Sequence, residues 1–285
     1  MEMSICRKIV RALFKIILPL NLIFGAFSVI ITASILKEMD QVSVWFTALC
    51  VVVFYNAAAN AINDYFDLEI DKINRPNRPL VTGDVKPQTA LVLSIILFAI
   101  GTVLAFTLPF KAIFIAVAIA LPLMIFYSIW FKGMPLVGNL IIALILGLTF
   151  LFAGAALNNI EIMIIPALLA FGLTTVRELV KDISDVEGER KANLKTFPII
   201  TGVEKGWVLT SVFAIFIGIG AILPFMMGKY NFLYIIFVLF GVEIPLVITV
   251  FSAMKSPTII TAKRVAQLLK ISTIAGVFAA WLGSL

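Results

Sequence analysis

The chain has 285 residues, 62% of them hydrophobic and 13% charged, and a mean hydropathy of +1.11. A soluble domain carries about a quarter charged residues, so the composition excludes an ordinary soluble fold and leaves a polytopic helical membrane bundle. No histidine is present, which removes imidazole bases, histidine-ligated haem and most zinc chemistry, and Cys6 and Cys50 fit no disulfide or metal spacing.

The start, MEMSICRKIVRALFK, is too basic and too long ahead of its apolar run for a secretory signal, and no small-residue cleavage site follows. Hydropathy then predicts nine helices, at 16–36, 42–66, 89–109, 111–131, 135–157, 161–184, 205–228, 230–253 and 264–284. With the N-terminus inside, the outward connections hold only Lys37, Lys111 and Lys229, three of the 22 basic residues. That bias predicts a multi-pass protein of the cell membrane with its N-terminus on the cytoplasmic side. The net charge of +6 is then a topology signal, and no nucleic-acid partner is expected.

The second predicted span ends in NDYFDLEID, residues 63–71. At about 100° per residue Asn60, Asp64, Asp67 and Asp71 fall within about 60° of one another, and Asn63 widens the arc to about 100°. The sixth span ends in RELVKDISDVEGER, residues 177–190, where Glu178, Asp182, Asp185 and Glu189 repeat the spacing 118 positions later. Both stripes close spans that run inward. The repeat predicts two four-helix halves, about 16–131 and 135–253, plus a ninth helix at 264–284, all within one domain covering 1–285. Like charges at this spacing repel, and a helix C-terminus adds negative potential, so each stripe needs a cation. Oxygen ligands without sulfur or imidazole favour Mg2+.

Basic loops follow both stripes: KINRPNRPLVTGDVKP at 72–87 and RKANLKTFPIITG at 190–202. Acids followed by bases, twice, suit a magnesium–diphosphate site, in which metal bridges carboxylate to phosphate while Arg and Lys take the remaining charge. Prolines stop these stretches from continuing as helix. A third inward connection, YSIWFKGMPLVGN at 127–139, offers Lys132 as a further phosphate contact, while Tyr127 and Trp130 equally suit an interfacial belt.

NDYFDLEID followed by NRPNRPL resembles the first signature of the UbiA superfamily of intramembrane prenyltransferases. KDISDVEGER…LKTFP resembles the second, and the stretch from Tyr127 to Lys132 the third. The resemblance runs through nearly the whole chain and includes nine transmembrane helices around a central cavity open to the cytoplasmic side. It implies Mg2+-dependent transfer of a prenyl group from its diphosphate to an acceptor, with a prenyl diphosphate, a lipid acceptor and the bilayer as partners and no protein partner. It places Asn63, Asp64, Asp67, Asp71, Asp182, Asp185 and Glu189 on the metals, with catalysis resting on Asp67, Asp71, Asp182 and Asp185. Substrate binding falls to Asn60, Arg75, Arg78, Tyr127, Lys132, Lys181 and Lys195. Two positions depart from the family pattern. Glu189 stands where aspartate is usual, and Leu18 replaces an arginine before Pro19, so an early basic contact would come from Lys15 or Arg11.

The KDISDVEGERK form is similar to the branch that joins a second geranylgeranyl chain to geranylgeranylglyceryl phosphate in archaeal lipid synthesis. The surplus of basic residues also suits an acceptor that carries phosphate. Prenylation of a hydroxybenzoate- or dihydroxynaphthoate-type quinone precursor is the alternative, and an ion-coupled transporter a remoter one. Phe54, Tyr55, Phe126, Tyr127 and Phe150 are candidates to face an allylic cation.

Overall fold

The computed structural model describes residues 12, 16–17 and 19–285, and every regular element among them is helical. The expected early basic contact from Lys15 or Arg11 lies outside the described residues. Helix α1 is Pro19–Ile35, α2 Val42–Phe66, α3 the short Leu68–Asn74, and α4 Pro87–Ala105. Helix α5 is Phe110–Phe131, α6 Val137–Ala156 and α7 Glu161–Lys191. The short α8, Phe197–Thr201, leads into α9, Val203–Met226; α10, Phe232–Lys255, and α11, Ile259–Ser284, complete the chain.

Eight of these, α2, α4, α5, α6, α7, α9, α10 and α11, are long and apolar enough to cross a membrane, so this is a multi-pass membrane protein. The first expected span is represented by the 17-residue α1. Two boundaries differ from expectation in ways that matter. Helix α7 continues to Lys191 rather than stopping at 184, which keeps its whole acidic stripe on one rigid helix. The first stripe instead crosses a break at Asp67 (φ −86°, ψ 1°), and α3 resumes immediately beyond it.

Packing follows small residues. Helix α2 lies along α4 where Gly101 accepts the Tyr55 ring; a Cβ there would sit 2.6 Å from it. Helix α6 meets α7 where Gly147 faces the Ala167 carbonyl, 2.9 Å from any added Cβ. Lipid tails are as apolar as leucine, so close backbone approach supplies the van der Waals contact that holds such helices together. One apolar cluster gathers α2, α4, α5 and α6 around Tyr55, Phe98, Met124 and Phe152. A second gathers α7, α9, α10 and α11 around Leu173, Trp207, Tyr234 and Leu269. Helix α7 also contacts α6, and α11 returns to α1. The short α3 rests against α7, so the two acid-bearing ends come together.

Candidate active site at the facing helix ends

The first acidic end is built from α2, α3 and the loop after them. Asp64, Asp67 and Asp71 are all buried. The loop turns back through Gly83, whose φ of +76° lies in the left-handed region open to glycine. Its Arg78 guanidinium donates to Asp64 Oδ1. The other carboxylate oxygen, Oδ2, is buried and lacks a hydrogen-bond partner. Asp67 Oδ2 accepts from the Lys132 ammonium, which arrives from the end of α5.

The aim of Lys132 has a local cause. The last turn of α5, Tyr127–Phe131, is widened to π-helical geometry, with the Lys132 amide donating to the Tyr127 carbonyl at 3.0 Å. Such wide turns displace side chains from the ordinary helical register and recur at functional sites. In the same turn Ser128 Oγ donates to Asn63 Oδ1 at 2.6 Å, which fastens α5 to α2 and occupies the Asn63 oxygen. Asn60 is also committed, its amide donating to the Ile17 carbonyl at 2.9 Å.

The second end lies on α7. Asp182 is buried, and its Oδ2 accepts from Asn139 Nδ2 on α6 at 2.8 Å. Asp185 Oδ1 accepts from Ser184 Oγ at 2.9 Å, and Glu189 Oε2 from Thr196 Oγ1 at 2.8 Å. Glu178, the first acid of this stripe, takes Arg177 Nη1 at 2.6 Å and Lys181 Nζ at 3.0 Å. The loop after α7 is tied down where the Lys195 amide donates to the Gly133 carbonyl at 3.2 Å, beside Lys132.

Lys132 joins the two ends. Besides its bond to Asp67, it lies within electrostatic range of Asp71, Glu178 and Glu189. Tyr127, buried, shares the field of Asp67, Glu178, Lys181 and Asp182. Asp71 lies outside the long helices; burial is the main influence raising its carboxyl above the usual range, with Asp67 adding to it and Arg78 opposing. Among the expected substrate contacts, Arg75 and Lys195 are exposed. Of the aromatic candidates, Tyr55 and Phe150 are buried in apolar clusters, and Phe126 stacks on Trp130 with ring centroids 5.1 Å apart.

The UbiA prenyltransferase family pattern matches residues 22–282. The chain belongs to the UbiA prenyltransferase family. A digeranylgeranylglyceryl phosphate synthase of Thermococcus sibiricus is 33% identical over 276 residues, covering 96% of this chain and 98% of the relative. A solved structure from work on digeranylgeranylglyceryl phosphate synthase in membranes superposes with a TM-score of 0.79 at 29% identity, covering 97% of this chain and 98% of the other. A UbiA homologue from Archaeoglobus fulgidus, bound to GPP and Mg2+, shares the fold at a TM-score of 0.69 and 19% identity, covering 94% and 99%.

Within this UbiA fold the donor set suits Mg2+. The side chains gathered are carboxylates, amides and hydroxyls, and the unpartnered Asp64 Oδ2 is a buried anionic oxygen that a hard cation would satisfy. Among the described residues, no three carboxylates converge into a ready-made cage. The electrostatics give a reason: Asp64 and Asp67 have drawn in Arg78 and Lys132, and Asp182 an amide, which keeps like charges from crowding. The sequence pattern did not single out Asn139, Ser128 or Thr196. Their partners lie 43, 65 and 7 positions away, so no local spacing marks them.

Proposed function

We propose that this chain is a digeranylgeranylglyceryl phosphate synthase, transferring a geranylgeranyl group from geranylgeranyl diphosphate to geranylgeranylglyceryl phosphate in archaeal ether-lipid synthesis. The geometric observation that carries the reading is the packing of α3 against α7, which brings the two acidic ends together, with Lys132 bonded to Asp67 at that junction. The end-to-end likeness to the Thermococcus sibiricus enzyme supports the choice of acceptor.

Asp64, Asp67 and Asp71 on one side, and Asp182, Asp185 and Glu189 on the other, would hold Mg2+. Bound there, the metal would neutralise charge developing on the departing diphosphate. The protein's own groups set the rest. Arg78 and Lys132, and the exposed Arg75 and Lys195, would supply the N–H donors to the diphosphate oxygens. The acceptor hydroxyl oxygen bonds to the allylic carbon as that carbon's bond to diphosphate oxygen breaks. The electron pair leaves with diphosphate, and the hydroxyl proton passes to diphosphate or water. Burial around Tyr127 and Asp64 keeps bulk water from the allylic carbon.

The wider architecture belongs to the same proposal. Helix α1 completes nine spans around a central cavity, the basic loops at 72–87 and 190–202 face the cytoplasm, and the isoprenoid tails extend between helices into the bilayer. The purified chain with Mg2+, geranylgeranyl diphosphate and one acceptor at a time tests this. Diphosphate release that depends on geranylgeranylglyceryl phosphate is expected. Release with an aromatic acid alone would overturn the acceptor assignment.

A further inference from the structure

Two cations in this region are ion-paired with Glu178 rather than with Asp182, Asp185 or Glu189. Arg177 and Lys181 occupy successive turns of α7, and at about 100° per residue they run along one side of the acidic stripe rather than within it. Both are gripped by the single carboxylate of Glu178, at 2.6 and 3.0 Å. The Glu178 side chain is 7% exposed, whereas those of Arg177 and Lys181 keep 29% and 35%. The anion is therefore a buried anchor, and each cation stays partly exposed beside it. Arg177 Nε is buried and unpartnered. One carboxylate pairs with two cations here, and Asp182 also lies in the field of Lys181, so Arg177 is the cation with the fewest acids beside it and keeps spare N–H donors.

We infer that Arg177 and Lys181, fixed by Glu178, form the subsite for the phosphate of the acceptor, and that Arg177 makes the enzyme selective for a phosphorylated acceptor. This rests on the proposed reaction. Two considerations choose the acceptor over the diphosphate donor. Arg78 and Lys132 are already bonded to Asp64 and Asp67, so they emerge where metal and diphosphate would sit, whereas Arg177 and Lys181 bond to neither Asp182 nor Asp185. The acceptor's own chemistry adds a distance limit. On a three-carbon glycerol bearing one ether and one phosphate ester, the free hydroxyl is never more than two carbons from the phosphate. The phosphate must therefore bind beside the reacting oxygen, and Lys181, next in sequence to Asp182, is so placed. A guanidinium held edge-on by a buried carboxylate presents its remaining N–H groups in a fixed plane, which suits the oxygens of a phosphate monoester.

The test is steady-state kinetics of the full-length chain in lipid vesicles with Mg2+, comparing wild type with Arg177→Gln. The KM for geranylgeranylglyceryl phosphate should rise about tenfold or more, as expected for loss of a charge-assisted contact. The KM for geranylgeranyl diphosphate should stay within about twofold. With geranylgeranylglycerol, which lacks the phosphate, wild type and variant should be equally poor. Equal loss toward both substrates, or an unchanged acceptor KM, would overturn the assignment. Should Arg177→Gln fail to fold, Arg177→Lys keeps the charge without the planar fork and is judged by the same acceptor-selective rise. If wild type itself ignores geranylgeranylglyceryl phosphate, the proposed reaction fails; if wild type uses it and the variant is not acceptor-selective, only this subsite fails.

Discussion

The two acidic helix ends share a spacing and differ in what holds them. At the end of α2 and in α3, carboxylates are matched to cations: Arg78 from a loop grips Asp64, and Lys132 from the end of α5 grips Asp67. At the end of α7 three carboxylates are held by neutral donors, Asn139 on Asp182, Ser184 on Asp185 and Thr196 on Glu189, and among the described residues only Glu178 of this stripe pairs with cations. The difference teaches how one repeated pattern can divide labour. The first end is neutralised by basic side chains, which in the proposed reaction would bind phosphate oxygens once cations occupy the carboxylates. The second is held in place by hydrogen bonds, with no ion pair on Asp182, Asp185 or Glu189 among the described residues. Opposite charges in a partly buried setting cost several kcal/mol to separate unpaired.

The largest effects should come from removing a carboxylate at either end. Asp67→Ala and Asp185→Ala should each lower transfer about a thousandfold or more while the helical content by circular dichroism stays unchanged. Wild-type turnover in either folded variant would be incompatible with the metal assignment. Next comes Lys132→Met, which removes the cation bonded to Asp67 at the junction of the two ends. A fall in kcat of about a hundredfold is expected, and a loss confined to KM would show that Lys132 contributes to binding alone. The neutral side of the comparison is sharpened by Asn139→Ala, which strips the donor from Asp182 Oδ2. The Mg2+ concentration for half-maximal activity should rise about tenfold, in line with the loss of an outer-shell partner, and an unchanged Mg2+ requirement would mean that Asp182 needs no such support.

The smallest effect concerns pH. Burial raises the Asp71 carboxyl above its unfolded value, so the folded chain takes up that proton more readily than the unfolded chain does. Its contribution to the stability of the metal-free protein is therefore full below the unfolded value and lost as pH rises through the folded one. Melting of the chelator-treated protein across the weakly acidic range should show this dependence, and Asp71→Asn should flatten it. Because protons compete with cations at the same carboxyl, apparent Mg2+ affinity should fall as the medium is acidified.

Much of this was legible in the sequence because both periodicities involved are local. Span length and apolar runs locate the eight long helices to within a few residues at most ends, since a bilayer imposes a minimum length. The stripes at 60–71 and 178–189 are visible because helical neighbours recur every three or four residues. The continuation of α7 to Lys191 was not legible, because charged residues end an apolar run without ending a helix. Nor was the break at Asp67, which separates two helices that both read as helix-forming. The partnerships of Ser128 with Asn63 and Asn139 with Asp182 depend on which helices become neighbours, and no single-segment pattern encodes that. Glu178 shows the limit most plainly. By spacing it belongs with the ligands, yet its two basic neighbours on the same helix claim both of its oxygens.

The central claim is that both helix ends act on one set of cations bound with the diphosphate. The most direct measurement is binding of Mn2+, followed by electron paramagnetic resonance, to the full-length protein with geranylgeranyl diphosphate present, in wild type, Asp67→Asn and Asp182→Asn. The account predicts that either substitution alone weakens all diphosphate-dependent Mn2+ binding, because the ligands from the two ends are shared. Loss of the ions at one end while diphosphate-dependent binding at the other stays at the wild-type level would contradict it.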